Sequence, residues 1–349
     1  MAITKIPAAG FTGNNFRNII INGDMSIAQR GTSVSSITTS GYYTLDRWEL
    51  GFTSLGTWTM SQDSDVPTGQ GFAKSLKLDC TTADASPDSA DVMRLSQKFE
   101  GQNSQYLKKG TASSVSLTAS FWVKSTKTGT FILELQDVDN SRGISKSYTV
   151  NTTNTWEKKT ITYEGDTTGA FNNDNGTSLQ LNFFLGTGSA RTSGTLATSW
   201  ESLTTGNRAV GQVNLADSTA NEWYITGVQL EAGTTASDFE FLPVDVNLQR
   251  CQRYYELCDG NRVVGTNYNS NVLYCNQIRF SVTKRASPTI TIQNNVTTFT
   301  VFHSGGYDLS QTWNTDEQDI DFFSIYMSNT RATGFIGPGD DLFIATSEL

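Results

Sequence analysis

The sequence is poor in the residues that enzymes most often use to bind metals and to transfer protons. Its 349 residues include one histidine, His303, together with four cysteines and six prolines. A single histidine excludes every site built from several histidines, and it leaves one locus at which a Ser-His-Asp triad could form. Charged residues make up 17% of the chain and hydrophobic residues 37%. We therefore expect a chain with a real core, not one kept disordered by charge repulsion.

The charges that are present are mainly acidic. The sequence has 25 Lys and Arg against 34 Asp and Glu, which gives a formal net charge of −9. Because no cluster of Lys or Arg offsets this balance, nucleic-acid binding is not expected. No segment approaches the roughly twenty apolar residues that span a bilayer, and residues 1–15 lack the apolar run of a signal peptide. The sequence thus predicts synthesis in a cytoplasm, with no membrane insertion.

Motifs for common cofactors are also absent. The sequence contains no phosphate-binding loop, dinucleotide fingerprint or nucleophile elbow. Residues 137–143 (DVDNSRG) resemble a calcium loop, but Tyr148 stands where that loop carries Glu, so a hairpin turn is the favoured interpretation. We expect no cofactor, no metal site and no catalytic residue. The cysteines, none of them in a CxxC pair, are expected to be reduced: Cys80, Cys251, Cys258 and Cys275.

Short runs of alternating hydrophobic and polar residues dominate the chain. Residues 115–123 alternate over nine positions, which predicts a strand with one face inward. In these runs Trp122 and Trp223 are expected to pack in the core. Turns rich in Gly, Asn, Ser and Thr separate the runs, which favours an all-β fold of the jelly-roll-type β-sandwich class. Further runs of this kind are residues 131–135, 144–150, 156–163, 179–185 and 223–230.

One segment has helical spacing instead. After Pro243, the residues Leu248, Cys251 and Tyr255 recur at intervals that place them on one side of a helix. This stripe could pack against neighbouring chains around a threefold axis or against its own domain, and the sequence leaves both interpretations open. Strand-like runs resume beyond it and predict a second, smaller C-terminal β-sandwich. The expected organisation is an N-terminal attachment arm (1–17), a jelly-roll-like domain (18–242), a helical connector (243–256) and a C-terminal β module (257–349).

A candidate contact surface lies in the C-terminal module. His303, Tyr307 and Trp313 occur close together in HSGGYDLSQTWN, where aromatic faces could stack on sugar rings. The alternative is that His303 is simply the last residue of an apolar strand. Carboxylates are too frequent in an acidic chain for a glycosidase pair to be recognised from the sequence.

Four stretches together resemble a known family. Residues 18–33 (NIIINGDMSIAQRGTS) and 43–50 (YTLDRWEL) resemble the start of a module of bacteriophage tail-fibre and virion appendage proteins, and residues 228–256 resemble its end. Residues 280–292 (FSVTKRASPTITI) are similar to an element of the C-terminal β module that follows in that family. The stretches FWVKST and TWEKKTITYEGDTTG resemble strands of carbohydrate-binding-module-like jelly rolls.

The resemblance implies a virion structural protein, such as a tail or head fibre or spike subunit, that assembles as a homotrimer. It implies attachment to a tail, collar, portal or capsid protein through residues 1–17, and recognition of host surface polysaccharide by the β domains. The family carries no fixed catalytic site, so none is transferred to this chain. Two alternatives remain open: a depolymerase that hydrolyses host surface polysaccharide, and a monomeric carbohydrate-binding module.

Overall fold

A computed structural model describes residues 16–258, 264–269, 272–292, 298–303, 306–328, 333–336 and 343–349. The chain divides into two compact units between Leu242 and Pro243. The expected attachment arm, residues 1–17, lies outside the described residues except for Phe16 and Arg17. Arg17 lies 4.0 Å from the carboxylate of Glu240, so the start of the first unit is close to its end.

The first unit consists of strands joined by turns and short 3-10 helices. The runs of alternating residues predicted as strands are all strands in the structure. The strands are β1 (Ser33–Ile37), β2 (Gly41–Tyr42), β3 (Glu49–Thr53), β4 (Thr57–Asp63), β5 (Ser75–Thr82), β6 (Val92–Glu100), β7 (Leu117–Ser125), β8 (Gly129–Asp137), β9 (Arg142–Val150), β10 (Glu157–Tyr163), β11 (Thr177–Thr187), β12 (Glu201–Ser202) and β13 (Glu222–Ala232).

These strands form two antiparallel sheets. The six-stranded sheet has the order β1-β4-β5-β13-β7-β10, and the seven-stranded sheet has the order β12-β9-β8-β11-β6-β3-β2. The chain passes repeatedly from one sheet to the other between β5 and β13, as in a jelly roll. The prediction of an all-β, jelly-roll-type sandwich is confirmed. Residues 138–141 form the turn between β8 and β9, which confirms the hairpin expected there.

Aromatic side chains fill the space between the two sheets. The ring centroid of Phe183 on β11 lies 5.1 Å from that of Phe121 and 6.1 Å from that of Trp223, both on the opposite sheet. Trp223 is fully buried, as expected, but Trp122 is half-buried and lies on the outer face of its sheet. The alternation that directs Phe121 inward necessarily directs Trp122 outward, so its expected place in the core was wrong.

The first and last motif stretches of this unit pack against each other. The Asn18 side chain donates a hydrogen bond to the Val228 carbonyl (3.0 Å) and accepts one from the Leu230 amide (3.0 Å). Gly23 faces the same strand, and a Cβ at that position would lie 2.1 Å from the Val228 oxygen. Only glycine fits there. The motif residues therefore join the beginning of the sandwich to its end.

A buried lysine holds one end of the sandwich. The ammonium of Lys109 contacts the carboxylates of Asp137 and Asp166, the latter at 3.0 Å. It also donates hydrogen bonds to the carbonyls of Thr168 and Gly169, both at 2.8 Å. Lys109 is 7% exposed and Asp137 is fully buried. Four oxygens thus surround one ammonium that has little access to water.

Two aromatic rings and an arginine complete this site. The Lys109 nitrogen lies 5.3 Å from the ring centroid of Phe171 and 5.4 Å from that of Trp200, close enough for cation–π attraction. Arg142 donates two hydrogen bonds to Asp166, of 2.7 and 3.1 Å. Burial alone raises the pKa of Asp166, but these bonds and Lys109 hold the pKa below its ordinary value. The loops around residues 109, 137, 168 and 200 are therefore fixed by one cation.

The second unit contains α1, the α-helix of the described residues, and two antiparallel sheets. The sheet orders are β14-β23-β18 and β16-β15-β22-β19-β20-β21-β17. Phe323 of the larger sheet lies 5.2 Å from Phe343 of the smaller one, ring centroid to ring centroid. The elements are α1 (Val244–Gln252), β14 (Tyr255–Cys258), β15 (Val264–Asn269), β16 (Val272–Cys275), β17 (Ile278–Arg279), β18 (Thr289–Ile292), β19 (Thr298–His303), β20 (Gly306–Gln318), β21 (Phe322–Ser328), β22 (Thr333–Ile336) and β23 (Phe343–Thr346).

Helix α1 is shorter than the expected 243–256. It ends at Gln252, and Tyr255 begins β14, whose backbone pairs with β23. Residues 255–258 thus pair with a strand nearly ninety residues downstream, and this pairing replaces the last helical turn. Lys284, from the motif FSVTKR, is buried here and contacts the Glu256 carboxylate. The basic residue of that motif therefore has a structural role.

Replacing Lys109 tests the importance of the buried cation. The substitution Lys109→Met should lower the free energy of unfolding of the first unit by about 3–5 kcal/mol, because it leaves Asp137 buried without a cation and Asp166 with Arg142 alone. Urea unfolding followed by tryptophan fluorescence reports this unit, since six of the seven tryptophans precede Leu242. The neighbouring exposed Lys108 gives the control, and Lys108→Met should change stability by about 0.5 kcal/mol or less. Equal effects of the two substitutions would contradict the role given to Lys109.

Candidate functional site

The outer face of the seven-stranded sheet carries polar side chains at the centre of otherwise apolar strands. On β11, Leu181 and Phe183 point into the core, so Gln180 and Asn182 point to the other side. The register places Asn182 between Ser96 on β6 and Glu134 on β8. We call this surface the polar face; it comprises Glu49, Arg94, Ser96, Lys98, Glu134, Gln136, Gln180 and Asn182.

A continuous chain of hydrogen bonds crosses the polar face. Arg208 donates two hydrogen bonds of 2.7 Å to the two carboxylate oxygens of Glu134. The Asn182 amide donates to the same carboxylate (2.8 Å), and Ser96 donates to the Asn182 oxygen (2.7 Å). Glu134, Asn182 and Ser96 are each 1% exposed or less. These hydrogen bonds therefore hold the side chains of Glu134, Asn182 and Ser96 in fixed positions.

The segment that carries Arg208 covers one end of the sheet. Its Ala209 packs with Val92, Ile132 and Phe184 in a small second core on the outer side of the sheet. The Arg208 carbonyl accepts a hydrogen bond of 2.7 Å from Ser145 on β9. The segment thus closes the apolar end of the face and places a guanidinium beside Glu134.

Several buried donors of the polar face have no protein partner among the described residues. They are the Nε of Arg94, the Nε2 of Gln180 and, beside the face, the Nε of Arg191. Gln180 is 5% exposed, so water reaches this amide poorly. A buried donor without an acceptor costs about 1–3 kcal/mol. Groups of this kind commonly bind an ordered water or a ligand, and three of the nine such atoms among the described residues lie on or beside the polar face.

Gly51 on the neighbouring strand has no side chain, and this leaves room for the Arg94 side chain to lie across it. A Cβ at Gly51 would lie 3.1 Å from the Arg94 Nε. Burial lowers the pKa of Arg94 below its ordinary value, and the charge of Arg208 lowers it further, whereas the charges of Glu134 and Glu49 raise it. For Arg208 burial acts in the same sense, but its bonds to Glu134 outweigh it and raise the pKa. The two guanidiniums therefore differ: Arg208 has its carboxylate, and Arg94 does not.

The outer face of the six-stranded sheet carries an aromatic cluster with a different character. The ammonium of Lys124 lies 4.0 Å from the ring centroid of Tyr224 and contacts the Asp65 carboxylate, which also accepts a hydrogen bond of 2.8 Å from Trp156. Burial and the hydrogen bond to Glu222 raise the pKa of Tyr224 to about 12. Each charged group here is paired within the cluster, so this surface offers fewer unused donors than the polar face.

A cavity of about 440 Å³ lies beside the buried Lys109. Gln105, which lines the cavity, donates hydrogen bonds from its amide to the carbonyls of Gly101, Phe171 and Asn172. The Lys109 ammonium is surrounded by the four oxygens described above. The polar groups of this cavity are thus largely committed to the fold. The cavity is lined by Ser104, Gln105, Lys108, Lys109, Thr111, Ser113, Ala170 and Phe171.

The three residues expected to bind ligand lie on one hairpin of the second unit. His303 ends β19 and pairs with Gly306, and Tyr307 pairs with Phe302, so the backbone brings His303 and Tyr307 together. Trp313 lies six residues further along β20, roughly 20 Å away at 3.3 Å per residue. Trp313 therefore lies on the strand and not in the turn of the hairpin. That these residues bind ligand stays a prediction.

The expected oligomer stripe is divided between two elements. Leu248 and Cys251 lie on α1, whereas Tyr255 lies on β14. Cys251 is fully buried and Tyr255 is 7% exposed in the single chain, which favours packing against their own unit. Leu248 is half-buried. An interface between chains at these residues stays a prediction. Of the cysteines, Cys80, Cys251 and Cys258 are buried.

Among the residues that the structure describes, no group of three or more His, Cys, Asp and Glu is placed to hold a metal ion. In the same part of the chain, no helix combines the length and hydropathy needed to cross a bilayer.

No known protein family matches the sequence, and no curated protein is significantly similar to it. Solved structures share part of the chain path. The enzymatically active domain of tailspike protein 4 of bacteriophage CBA120 matches 62% of this chain and 22% of its own, about a fifth of the tailspike chain, with 14% identity and a TM-score of 0.33. A family 11 carbohydrate-binding module from Clostridium thermocellum, in complex with a mixed-linked tetrasaccharide, matches 59% of this chain and 98% of its own, with 10% identity and a TM-score of 0.29.

A second module of that organism is similar to the same extent. The C-terminal family 22 carbohydrate-binding module of Clostridium thermocellum Xyn10B matches 60% of this chain and 100% of its own, with 13% identity and a TM-score of 0.29. At identities of this size, such likeness concerns the fold alone.

The polar face is not among the sites predicted from the sequence, although the strands contain a signal for it. Glu134 and Asn182 interrupt otherwise apolar strands, at the positions that alternation directs away from the core. Their partner Arg208, however, is 74 residues from Glu134 and lies in a segment without periodicity.

Substituting Glu134 tests whether it anchors the covering segment. Glu134→Gln should destabilise the first unit by about 1.5–3 kcal/mol, because Arg208 loses a charged acceptor. It should also accelerate hydrogen exchange of the backbone amides of residues 205–213, measured by mass spectrometry. Glu164→Gln is the matched control, since Glu164 is half exposed and pairs with Lys146 at 3.4 Å on the surface. Unchanged exchange in Glu134→Gln would contradict this anchoring role.

Proposed function

We propose that the chain is a non-catalytic glycan-recognition subunit of a bacteriophage virion appendage and that it binds host surface polysaccharide through the polar face. The observation that carries the proposal is the set of buried donors without partners at Arg94 and Gln180. A saccharide presents many hydroxyl oxygens, each of which accepts hydrogen bonds, so such a ligand satisfies donors spaced along a sheet. The phage assignment is supported by the four motif stretches of the sequence.

The carboxylates of the polar face favour binding over hydrolysis. Glycoside hydrolysis needs one carboxyl group as a general acid and a second as a base or nucleophile. Both oxygens of Glu134 accept hydrogen bonds from Arg208 or Asn182, and Glu49 pairs with Lys98 at 2.9 Å. These acidic groups are already bonded to neighbouring side chains, which suits a rigid binding surface.

Weak sites of this kind gain strength through multiplicity. A single glycan contact of millimolar affinity becomes effective when several copies of the subunit engage the same surface, because binding of the second copy is intramolecular. In this proposal residues 1–17 attach the chain to another virion protein, and three copies form a homotrimer.

Glycan binding and hydrolysis can be measured together. The full chain is screened against an array of bacterial surface polysaccharides, and bound glycans are assayed for released reducing ends. We expect binding without release, and about tenfold weaker binding for Gln180→Ala because the buried amide contact is lost. Gln70→Ala, at an exposed glutamine in a loop, is the control and should bind as the unaltered chain. Release of reducing ends would favour the depolymerase, and absence of binding would overturn glycan recognition.

The assembly state is a separate test. Size exclusion with light scattering should give three times 38.1 kDa, about 114 kDa, for the full chain. A mass of 38.1 kDa would contradict a homotrimer in solution and favour a monomeric carbohydrate-binding module.

A further inference from the structure

Together with Arg191 and Arg208, which lie beside it, the polar face has four cations against two carboxylates, although the chain has a net charge of −9. Arg208 is paired with Glu134, and Lys98 is paired with Glu49. Once these pairs are formed, each carboxylate of the face has a cation, and Arg94 still has no carboxylate within 4 Å among the described residues. Arg94, which is half-buried, therefore has no ion pair of its own, although the charges of Glu134 and Glu49 act on it.

A second arginine adds to this charge. Arg191 is the last residue of the short 3-10 helix Ser189–Arg191, and its carbonyl accepts a hydrogen bond of 2.9 Å from the Ala209 amide. Its guanidinium donates one hydrogen bond, of 3.0 Å, to the Ala90 carbonyl, while its Nε has no partner among the described residues. Burial lowers the pKa of Arg191, and the charge of Arg208 lowers it further. Arg191 also lies close enough to Arg94 for its charge to lower the pKa of that residue. Arg94, Arg191 and Arg208 thus repel one another, with Glu134 and Glu49 as the nearby carboxylates.

A neutral ligand would leave this repulsion unrelieved. Its hydroxyls could accept hydrogen bonds from Gln180 and Arg94, but a neutral group carries no charge to offset that of the guanidinium. A carboxylate or phosphate does, because its oxygens match the planar N–H groups of arginine and carry the opposite charge. The side chain of Arg94 is already fixed against Gly51, so little conformational entropy is lost when it binds.

We propose that the polar face selects an acidic saccharide, with Arg94 bound to an anionic substituent of the sugar and Gln180 donating to an adjacent hydroxyl. Arg191 and Arg208 supply the field that favours the anion. The substituent is the carboxylate of a uronic acid or a phosphate ester, which share the oxygens that arginine recognises. This inference rests on the proposed glycan recognition.

The experiment compares acidic polysaccharides with neutral forms of the same chains. Isothermal titration of the full chain uses oligosaccharides of alternating glucuronate and N-acetylglucosamine, the same oligosaccharides after carboxyl reduction, a phosphorylated mannan, and that mannan after enzymatic dephosphorylation. Neutral xylan and dextran oligosaccharides complete the set. We expect at least tenfold tighter binding of the carboxylate or the phosphate form than of its neutral counterpart, and the stronger of the two identifies the substituent.

The variants connect this preference to Arg94. Arg94→Gln should reduce binding of the acidic form about tenfold or more and abolish the difference between the acidic and neutral forms. Lys158→Ala removes the same charge from an exposed position on the opposite sheet and should retain the preference. The Arg94 Nε–H resonance should shift on addition of the acidic oligosaccharide, and thermal unfolding establishes that each variant is folded.

The outcomes separate the two proposals. Equal binding of acidic and neutral forms, unaffected by Arg94→Gln, would overturn acidic selection and leave glycan recognition in place. A preference that persists in Arg94→Gln would also overturn it. No binding of any saccharide in the set by the folded chain would count against glycan recognition itself. Weaker binding of the acidic form when NaCl is raised from 50 to 500 mM, with no change for the neutral form, would support the charged contact.

Discussion

The central strands of the seven-stranded sheet are buried on both faces, and the arrangement of the first unit depends on this constraint. One face of β11 contributes Phe183 to the aromatic contacts between the sheets, and the other carries Asn182 at full burial. A polar group in that position must be hydrogen-bonded, because burying it alone is costly. Asn182 therefore needs Glu134, and Glu134 needs Arg208, which brings a distant segment across the sheet. The polar face follows from this sequence of requirements.

The residues that resemble the phage family mostly have structural roles. Asn18 and Gly23 join the first motif to β13, and Lys284 fixes the end of α1 in the second unit. Recognition of ligand in this proposal belongs to other residues, such as Arg94 and Gln180, which lie outside the motifs. A shared framework with a separate binding surface lets a fold keep its architecture while its ligand changes.

Much of the fold could be predicted from the sequence because strand alternation is a local signal. The pattern from 179 to 185 fixes both the strand and the inward side of Phe183. The pairing of Glu134 with Arg208 could not be predicted, since their contact depends on how a segment without periodicity folds over the sheet. For Trp122 the sequence predicts the strand correctly, but alternation places Trp122 on the face opposite to the inward-pointing Phe121. The helix was located by spacing, whereas its end depended on the pairing of β14 with β23, a contact between distant residues.

The buried Lys109 has a consequence for how this end of the sandwich responds to its surroundings. Two carboxylates and two carbonyl oxygens converge on the ammonium, an all-oxygen environment of the kind that hard divalent cations such as calcium prefer. Because the cation here is part of the chain, its local concentration does not fall when the protein is diluted, and no chelator can extract it. The loops that it joins are therefore held equally well in calcium-rich and calcium-poor media.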